Sequence, residues 1–490
     1  LRGSDRFGYE TGEDHTTVIA ELKNGRNASE PEVGTFETQL DPLKHDIHDR
    51  RKRPDKKVKV DKPEDNGTTV NVTVGAETEE NTRIEPVARI ALAIQKLIVN
   101  RAVAFTFGNP VGLNAEPEED TPEEDVLNAV KRVLFDTKSR TLNRKIARAI
   151  FSSTEAAERW YPVEKPNSNY GFDSKYKLRV AIFSPLKGDK LYPYFDETGD
   201  MVAFSREFIV KDNAGVKYTF FETYTADAHY MWRTANNTWE VVEGYPKVNI
   251  IGKIPIVYGR QPQVEWEDVQ GLIDRLEKLL SNFADTNDYH ASPKIVVKGT
   301  VLGFAKKGES GGILELEGDD ADAKYLSWQH APESVKLEIE TLLRMIYTIT
   351  QTPDISFEAV KGIGAISGVA LKLLFMDAHL KVQDKMEIFD DYLQRRLSIV
   401  QGFLGVMNTK DAGFKAACES LTIEPEITPY TIEDEREKVE VVSMAVSAGL
   451  ASKKTGVNQL AWVEDTEAEY ELIQEEATAS SYLDVMGPHV

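Results

Sequence analysis

Residues Pro332–Thr350, PESVKLEIETLLRMIYTIT, are followed by QTPDISFEAVKGIGAI at Gln351–Ile366 and by SGVALKLLFMDAHLKVQDKMEIFDDYLQRRLSIVQGFLG at Ser367–Gly405. In the first piece Val335, Ile339, Leu342, Leu343, Ile346 and Ile349 recur at the three-to-four-residue spacing of an amphipathic helix. Thr352-Pro353 stops it, because proline disfavours helix at the residue before it and lacks the donor needed to continue. In the third piece Leu373, Leu374, Leu380, Met386, Phe389, Leu393, Leu397 and Val400 fall among the apolar positions of a periodic run from Val369 to Leu404. Such a helix reaches roughly 50 Å at 1.5 Å per residue. Between them the loop mixes Phe357, Val360 and Ile363 with Glu358 and Lys361, and glycines at 362, 364 and 368 let it bend. A working loop is one reading and a plain helix connector the other.

Working outward, Glu265–His290 predicts a helix about 39 Å long, with Val269, Leu272, Ile273, Leu276, Leu279, Leu280 and Phe283 on a near-heptad stripe. After it, KIVVKGTVLGFAKKGESGGILELEGDDADAKYLSW reads as strand, strand, glycine turn, strand, strand. Upstream, Lys177 to Tyr258 is a succession of Val-, Ile-, Phe-, Tyr- and Thr-rich runs split by KGD, ETGD, DNAG and ANN. That pattern predicts an antiparallel sheet with several hairpins. Helices are predicted from Pro86 to Phe107, around Val126 to Leu134 and from Asn143 to Arg159. Residues 1–80 are polar and weakly periodic and read as an extended arm, with a basic run from His45 to Val60. The last third predicts short helices at Tyr430–Ser447, Leu450–Val463 and Thr466–Ala477, the last strongly acidic. The fold class is therefore α+β.

The chain has 81 acidic and 59 basic side chains among 490 residues, a formal charge of -22. A protein that grips nucleic acid over its whole surface needs the opposite balance. The single cysteine, Cys418, makes no internal disulfide and no thiolate cluster, which fits synthesis in a reducing compartment. The most apolar run, ALAIQKLIVNRAVAFTFGNPVG, carries Lys96 and Arg101 and is not a membrane span. No signal peptide is read, and a start at Leu1-Arg2-Gly3-Ser4 without methionine is expected to be either an artificial or a processing boundary.

The catalytic motifs are weak. Gly308-Glu309-Ser310-Gly311-Gly312 has the G-x-S-x-G spelling of a nucleophile elbow, but a strand, not a helix, is predicted after it. Gly449 to Thr455 lacks the second glycine of a phosphate loop and reads as an interhelical turn. His45, Asp46, His48 and Asp49 read as a solvated linker, and Asp319, Asp320 and Asp322 as a solvated turn; neither has a full ligand set. No metal, cofactor or catalytic residue is expected.

In their order and spacing these pieces resemble the portal proteins of tailed double-stranded DNA bacteriophages, particularly the type of long-tailed phages of Gram-positive hosts. The carriers are HDIHDRRKR with the helix ending in FTFGNPV, IPIVYGRQPQVEWEDVQGLIDRLEKLLSNFADT before PKIVVKG, ITQTPDISFEAVKGIGAISGVALKLLFMDAHLKV, and IEDEREKVEVVSMAVSAGLASKKTGVNQLAWVEDTEAEYELIQEE. The resemblance implies a ring, usually dodecameric, of wing, stem, clip and crown around a DNA tunnel. It implies an N-terminal arm at 1–40, flexible; a wing at 40–264; stem helices at 265–291 and 332–350; and a clip at 292–331. A tunnel loop follows at 351–366, then the long helix and wing/crown connection at 367–427, crown helices at 428–477 and a tail at 478–490.

On that template Phe357, Glu358, Lys361, Gly362, Ile363 and Gly364 face DNA. Leu272, Leu276, Leu279, Leu343 and Ile346 pack the stem oligomer. Lys294, Lys298, Lys306 and Lys307 belong to the clip, which meets the terminase large subunit and then the head-tail adaptor. Capsid and scaffolding proteins are further implied partners, and no membrane is. The implied place is the portal vertex of the virion, after synthesis in the host cytoplasm, and the implied protein is not an enzyme. About twelve copies of the chain amount to roughly -260 charges (12 × -22), which keeps phosphate off a tunnel wall. A non-channel scaffold or adaptor of the virion, or a hydrolase using Ser310, is the alternative. The acidic stretch at 116–125, the short clip and the first 40 residues depart from the family pattern.

Overall fold

The computed structural model describes residues 15–26, 28–59, 82–213, 215–235, 238–291, 294–303, 315–326, 332–355, 373, 375–431, 435–460, 462–463 and 466–485. Two compact units are formed, one from Leu1–Thr352 with Leu380–Pro429 and one from Pro353–His379 with Tyr430–Val490. The chain opens with helices α1 (His15–Asn24) and α2 (Val33–Leu40), strands β1 (Lys56–Lys59) and β2 (Thr82–Glu85), helix α3 (Ile94–Phe107) and strand β3 (Gly112–Asn114). Helices α4 (Pro122–Asp136) and α5 (Ser139–Ser153) lead into β4 (Glu155–Asn167), β5 (Ser174–Phe183), β6 (Lys190–Phe195), β7 (Met201–Lys211) and β8 (Lys217–Tyr224). Then come β9 (Ala228–Ala235), β10 (Thr238–Val241), β11 (Lys247–Val248) and β12 (Ile256–Arg260). Helix α6 (Gln270–Ala291), β13 (Lys294–Gly303), β14 (Glu315–Leu326), α7 (Pro332–Ile349), α8 (Met376–Met407), α9 (Ala412–Ser420) and β15 (Glu424–Glu426) continue the chain. It closes with α10 (Glu435–Ser447), α11 (Lys453–Asn458) and α12 (Thr466–Val485).

The strand-rich middle forms two antiparallel sheets where one was predicted. The larger has the order β10-β9-β8-β7-β6, with β11 also on β9; the smaller has the order β12-β4-β5. The split arises because Glu155–Arg159, expected as the end of a helix, is strand. Helix α5 stops at Ser153, Thr154 turns left-handed at φ 66, and Ala156, Ala157 and Trp160 of β4 become core residues. Burial of that strand on both faces outweighs local propensity.

The first unit's main core joins α3, α4, α5, α6, α7 and the later part of α8. Phe389 of α8 meets Phe107 and Phe151 edge-on at 4.9 and 5.9 Å between centroids. Further along α8, buried Arg396 grips both carboxylate oxygens of buried Glu158 at 2.6 and 2.9 Å and also donates to Asn143. Trp160 Nε1 donates to the same Glu158 at 2.9 Å. Each charge is thus paired and hydrogen-bonded, the condition under which a buried ion pair is tolerable.

The N-terminal part is not a free arm. Val18, Ile19 and Leu22 of α1 are buried against Tyr192, Phe221 and Trp232 of the large sheet. Lys23 pairs with Glu207, and Arg26 clamps buried Glu155 at 2.9 to 3.0 Å. The flexible arm expected for residues 1–40 is therefore corrected for 15–40, where burial of one apolar face fixes the helix. The helix predicted from Pro86 starts only at Ile94, because residues 88–92 run extended along α6, as described below.

In the second unit, Gly449 turns left-handed after α10 at φ 69, and the Ser452 side chain caps α11 by accepting from Thr455 N at 3.0 Å. That is the interhelical turn the sequence predicts. A Cβ at Gly456 would lie 2.8 Å from Val446, so only glycine lets α11 approach α10 this closely.

Candidate functional site

Helices α6 and α7, with the β13/β14 ribbon between them in the chain, span the residues for which the resemblance implies stem and clip. One face of α6 presents Ile273, Leu276 and Leu279, buried in one cluster with Leu342 and Ile346 of α7, while Leu272 and Leu343 are half-buried beside them. Burying one such side chain contributes about 1.5–3 kcal/mol. Across the exposed edge, Arg275 donates twice to Glu338 Oε1, at 2.9 and 2.6 Å.

The opposite requirement, polar satisfaction, shapes another face of α6. Glu277, Ser281 and Asp285 are spaced four apart and accept from the backbone N–H groups of Leu92, Ile90 and Ala88 at 2.8, 2.9 and 2.7 Å. Two extended residues advance about 6.6 Å and four helical residues about 6.0 Å, so the rungs stay in step. Asp285 also receives Arg53 at 2.8 Å. Glu277 Oε1 faces His45 Nδ1 at 2.7 Å, and His45 Nε2 faces the Gln39 carbonyl at 2.7 Å. Both partners are acceptors, so the doubly protonated imidazolium satisfies both. Burial works against that charge, but the hydrogen bond and negative charge of Glu277 prevail and raise the His45 pKa above its ordinary 6.5. The solvated linker expected at 45–49 is thereby corrected at its buried histidine, and the basic run is tied down at Arg53.

A second anchor stands where α7 ends and α8 has begun. Glu265, just ahead of α6, is met by Lys381 Nζ at 2.6 Å and Lys385 Nζ at 2.8 Å. Lys381 also donates to the Thr350 carbonyl at 2.9 Å, and Thr350 and Thr352 hydroxyls pair at 3.0 Å. Burial opposes ionisation of Glu265, yet the two ammonium groups outweigh it and hold the carboxyl below its usual range. Desolvation lowers the Lys381 pKa despite Glu265. The result ties the chain entering residue 351 to the chain leaving residue 380. Sequence reasoning missed this group; its one visible trace is a lysine pair four apart within an otherwise apolar periodicity.

The remaining predicted residues fall as follows. Phe357, Glu358, Lys361, Gly362, Ile363 and Gly364, with Lys306, Lys307 and Ser310, lie outside the described residues. Strands β13 and β14 pair over their lengths with two register shifts, so the module is a two-stranded ribbon where four strands were predicted. Lys294 stands opposite Leu326 in it, and exposed Lys298 opposite Asp322. The turn predicted at Asp319–Asp322 is instead strand, and the segment after residue 314 is strand too, against the helix a nucleophile elbow needs. Leu276, Leu279 and Ile346 are buried within the chain, between α6 and α7. What α7 leaves uncovered is another stripe, Leu337, Met345 and Ile349, at 63, 48 and 48% exposure.

Among the described residues no group of three or more potential ligands could hold a metal ion, and no helix is long and apolar enough to cross a membrane. Solved structures to which the chain is similar include one titled the neck of an empty GTA particle, at 13% identity and TM-score 0.41, covering 75% of this chain and 88% of that one. Another is titled the virion of a native gene transfer agent particle, at 13% identity and TM-score 0.35, covering 73% and 85%. No curated protein matches. The family model described as phage portal protein, SPP1 Gp6-like, matches residues 39–481. With helices and antiparallel sheets in the order its sequence predicts and a family match over nearly its whole length, the chain belongs to the SPP1 Gp6-like phage portal protein family.

Proposed function

We propose that this chain is the repeating subunit of a ring, dodecameric in the virion, set at one capsid vertex, through which double-stranded DNA is packaged and later ejected. The observation that carries the reading is the family match over residues 39–481. On it, α6 and α7 are the stem, the β13/β14 ribbon is the clip that docks the terminase large subunit and then the head-tail adaptor, and residues 351–366 are the tunnel loop. The anchor of Glu265, Lys381 and Thr350 supports this, since it fixes both roots of that loop. The open positions Leu337, Met345 and Ile349 support a helix that meets a neighbouring copy, because exposed apolar side chains gain by being covered. A chain charge of -22 lets DNA pass without being held, leaving contact to a few groups such as Lys361. The subunit hydrolyses nothing in this scheme; the motor supplies the energy. Negative-stain images of the purified protein test it: channelled rings are expected, and monomers at all concentrations would favour a non-channel adaptor.

A further inference from the structure

A groove of about 860 Å³ opens between the edge strands β5 and β11, beside β4 and the C-terminal end of α8. Its charged lining is Arg159, Lys175, Lys247 and Lys410 against one carboxylate, Asp173. On a chain of charge -22 that is a local inversion of sign. Among the described residues none of the four cations takes part in an ion pair. The Arg159 guanidinium lies 5.1 and 5.0 Å from the ring centres of Tyr161 and Tyr224, and among the described residues its buried Nε has no acceptor. At the rim, Tyr176 and Val248 are exposed, Val248 to 82%.

Elsewhere on the same unit stands the opposite surface. EPEEDTPEED at Glu116–Asp125 carries seven carboxylates in ten positions, and none of them pairs with a cation among the described residues. Glu116, Glu118, Glu119 and Asp120 are exposed. Residues 115–118 have no regular structure, Glu119 and Asp120 turn, Asp120 at φ 57, and Pro122 opens α4. Among the described residues each surface lacks what the other supplies.

We propose that the acidic segment Glu116–Asp125 of one copy seats in the basic groove of the next copy. Its carboxylates face Arg159, Lys175, Lys247 and Lys410, and its prolines lie on Tyr161 and Tyr176. This rests on the ring reading, since two different patches of one chain that fit each other make a head-to-tail contact, which closes only as a ring. Complementary charge sets the pairing and its register, and salt weakens it, because exposed charges are screened beyond about 8 Å at physiological ionic strength.

The test is charge exchange. A chain with Glu116→Lys, Glu118→Lys and Glu119→Lys, or one with Lys175→Glu, Lys247→Glu and Lys410→Glu, should need about tenfold more protein to form rings. A chain carrying all six changes should regain assembly. Rings that form undiminished in both triple variants, or a six-fold variant no better than either, overturn the contact alone. Absence of rings in the unaltered protein overturns the ring reading and this contact with it. Glu119→Cys and Lys247→Cys, placed on separate chains and mixed, should cross-link between chains. A cross-link seen only when both cysteines sit on one chain means the segment covers its own groove, and the proposal fails.

Discussion

Helices α6 and α7 are neighbours in space with similar apolar periodicity, yet they end in opposite conditions. The first has two faces occupied by its own chain: leucines on one, and on another the rungs to Leu92, Ile90 and Ala88 with His45 and Arg53 at either end. The second shares the leucine face but leaves Leu337, Met345 and Ile349 open. Helical spacing alone therefore does not tell which stripe faces a partner; the polar groups that occupy the other faces decide it. By this comparison α6 serves the fold of the subunit, and the proposed contact with a neighbouring copy falls to α7.

Leu276→Asp should break the enclosed side most severely. A carboxylate in that dry cluster costs more than about 4 kcal/mol, and loss of the cooperative thermal transition in circular dichroism is the expected result. A folded monomer that merely fails to assemble would show that α6 is not enclosed. Next in size, His45→Gln removes a charge-assisted bond to Glu277 and should cost about 1.5–3 kcal/mol at acid pH. The sign follows from the raised pKa: the histidine's contribution is fully present below the unfolded value near 6.5 and fades as pH rises through the higher folded one. Melting temperatures of the wild type and the variant should thus converge toward alkaline pH, and a constant gap would remove the imidazolium.

On the open side the effect moves from folding to assembly. Leu337→Asp with Met345→Asp should leave the monomer's melting within about 0.5 kcal/mol of wild type, as exposed substitutions do, while sedimentation shows rings lost. Lys361→Glu should be the mildest, changing neither melting nor ring formation but altering DNA retention in packaging assays. Unchanged packaging would take Lys361 out of the tunnel.

The leucine stripes of both helices were legible because a three-to-four-residue period is written in side chains. So was the long helix, described from Met376 to Met407, while the expected start at Val369 lies outside the described residues. The rungs on α6 were not legible, since their donors are backbone N–H groups that carry no residue signature. Helix α1 was readable in principle from Val18, Ile19 and Leu22, but a polar composition around it pointed to an arm. Glu155–Arg159 misled because its Ala, Glu and Arg residues favour helix until the flanking strands β12 and β5 claim them. Residues 356–366 of the loop lie outside the described residues.

The rungs between residues 88–92 and α6 behave like a vernier, two scales of slightly different division laid side by side. A pair of extended residues overshoots four helical ones by about 0.6 Å, so three rungs accumulate about 1.2 Å of slip, which hydrogen-bond lengths absorb, and a much longer series would fall out of step. The coupling is self-limiting in length. Change in this part of the chain is correspondingly constrained: a four-residue insertion within α6 preserves the phase only if the extended segment gains two, whereas a single-residue slip in either strands every rung at once.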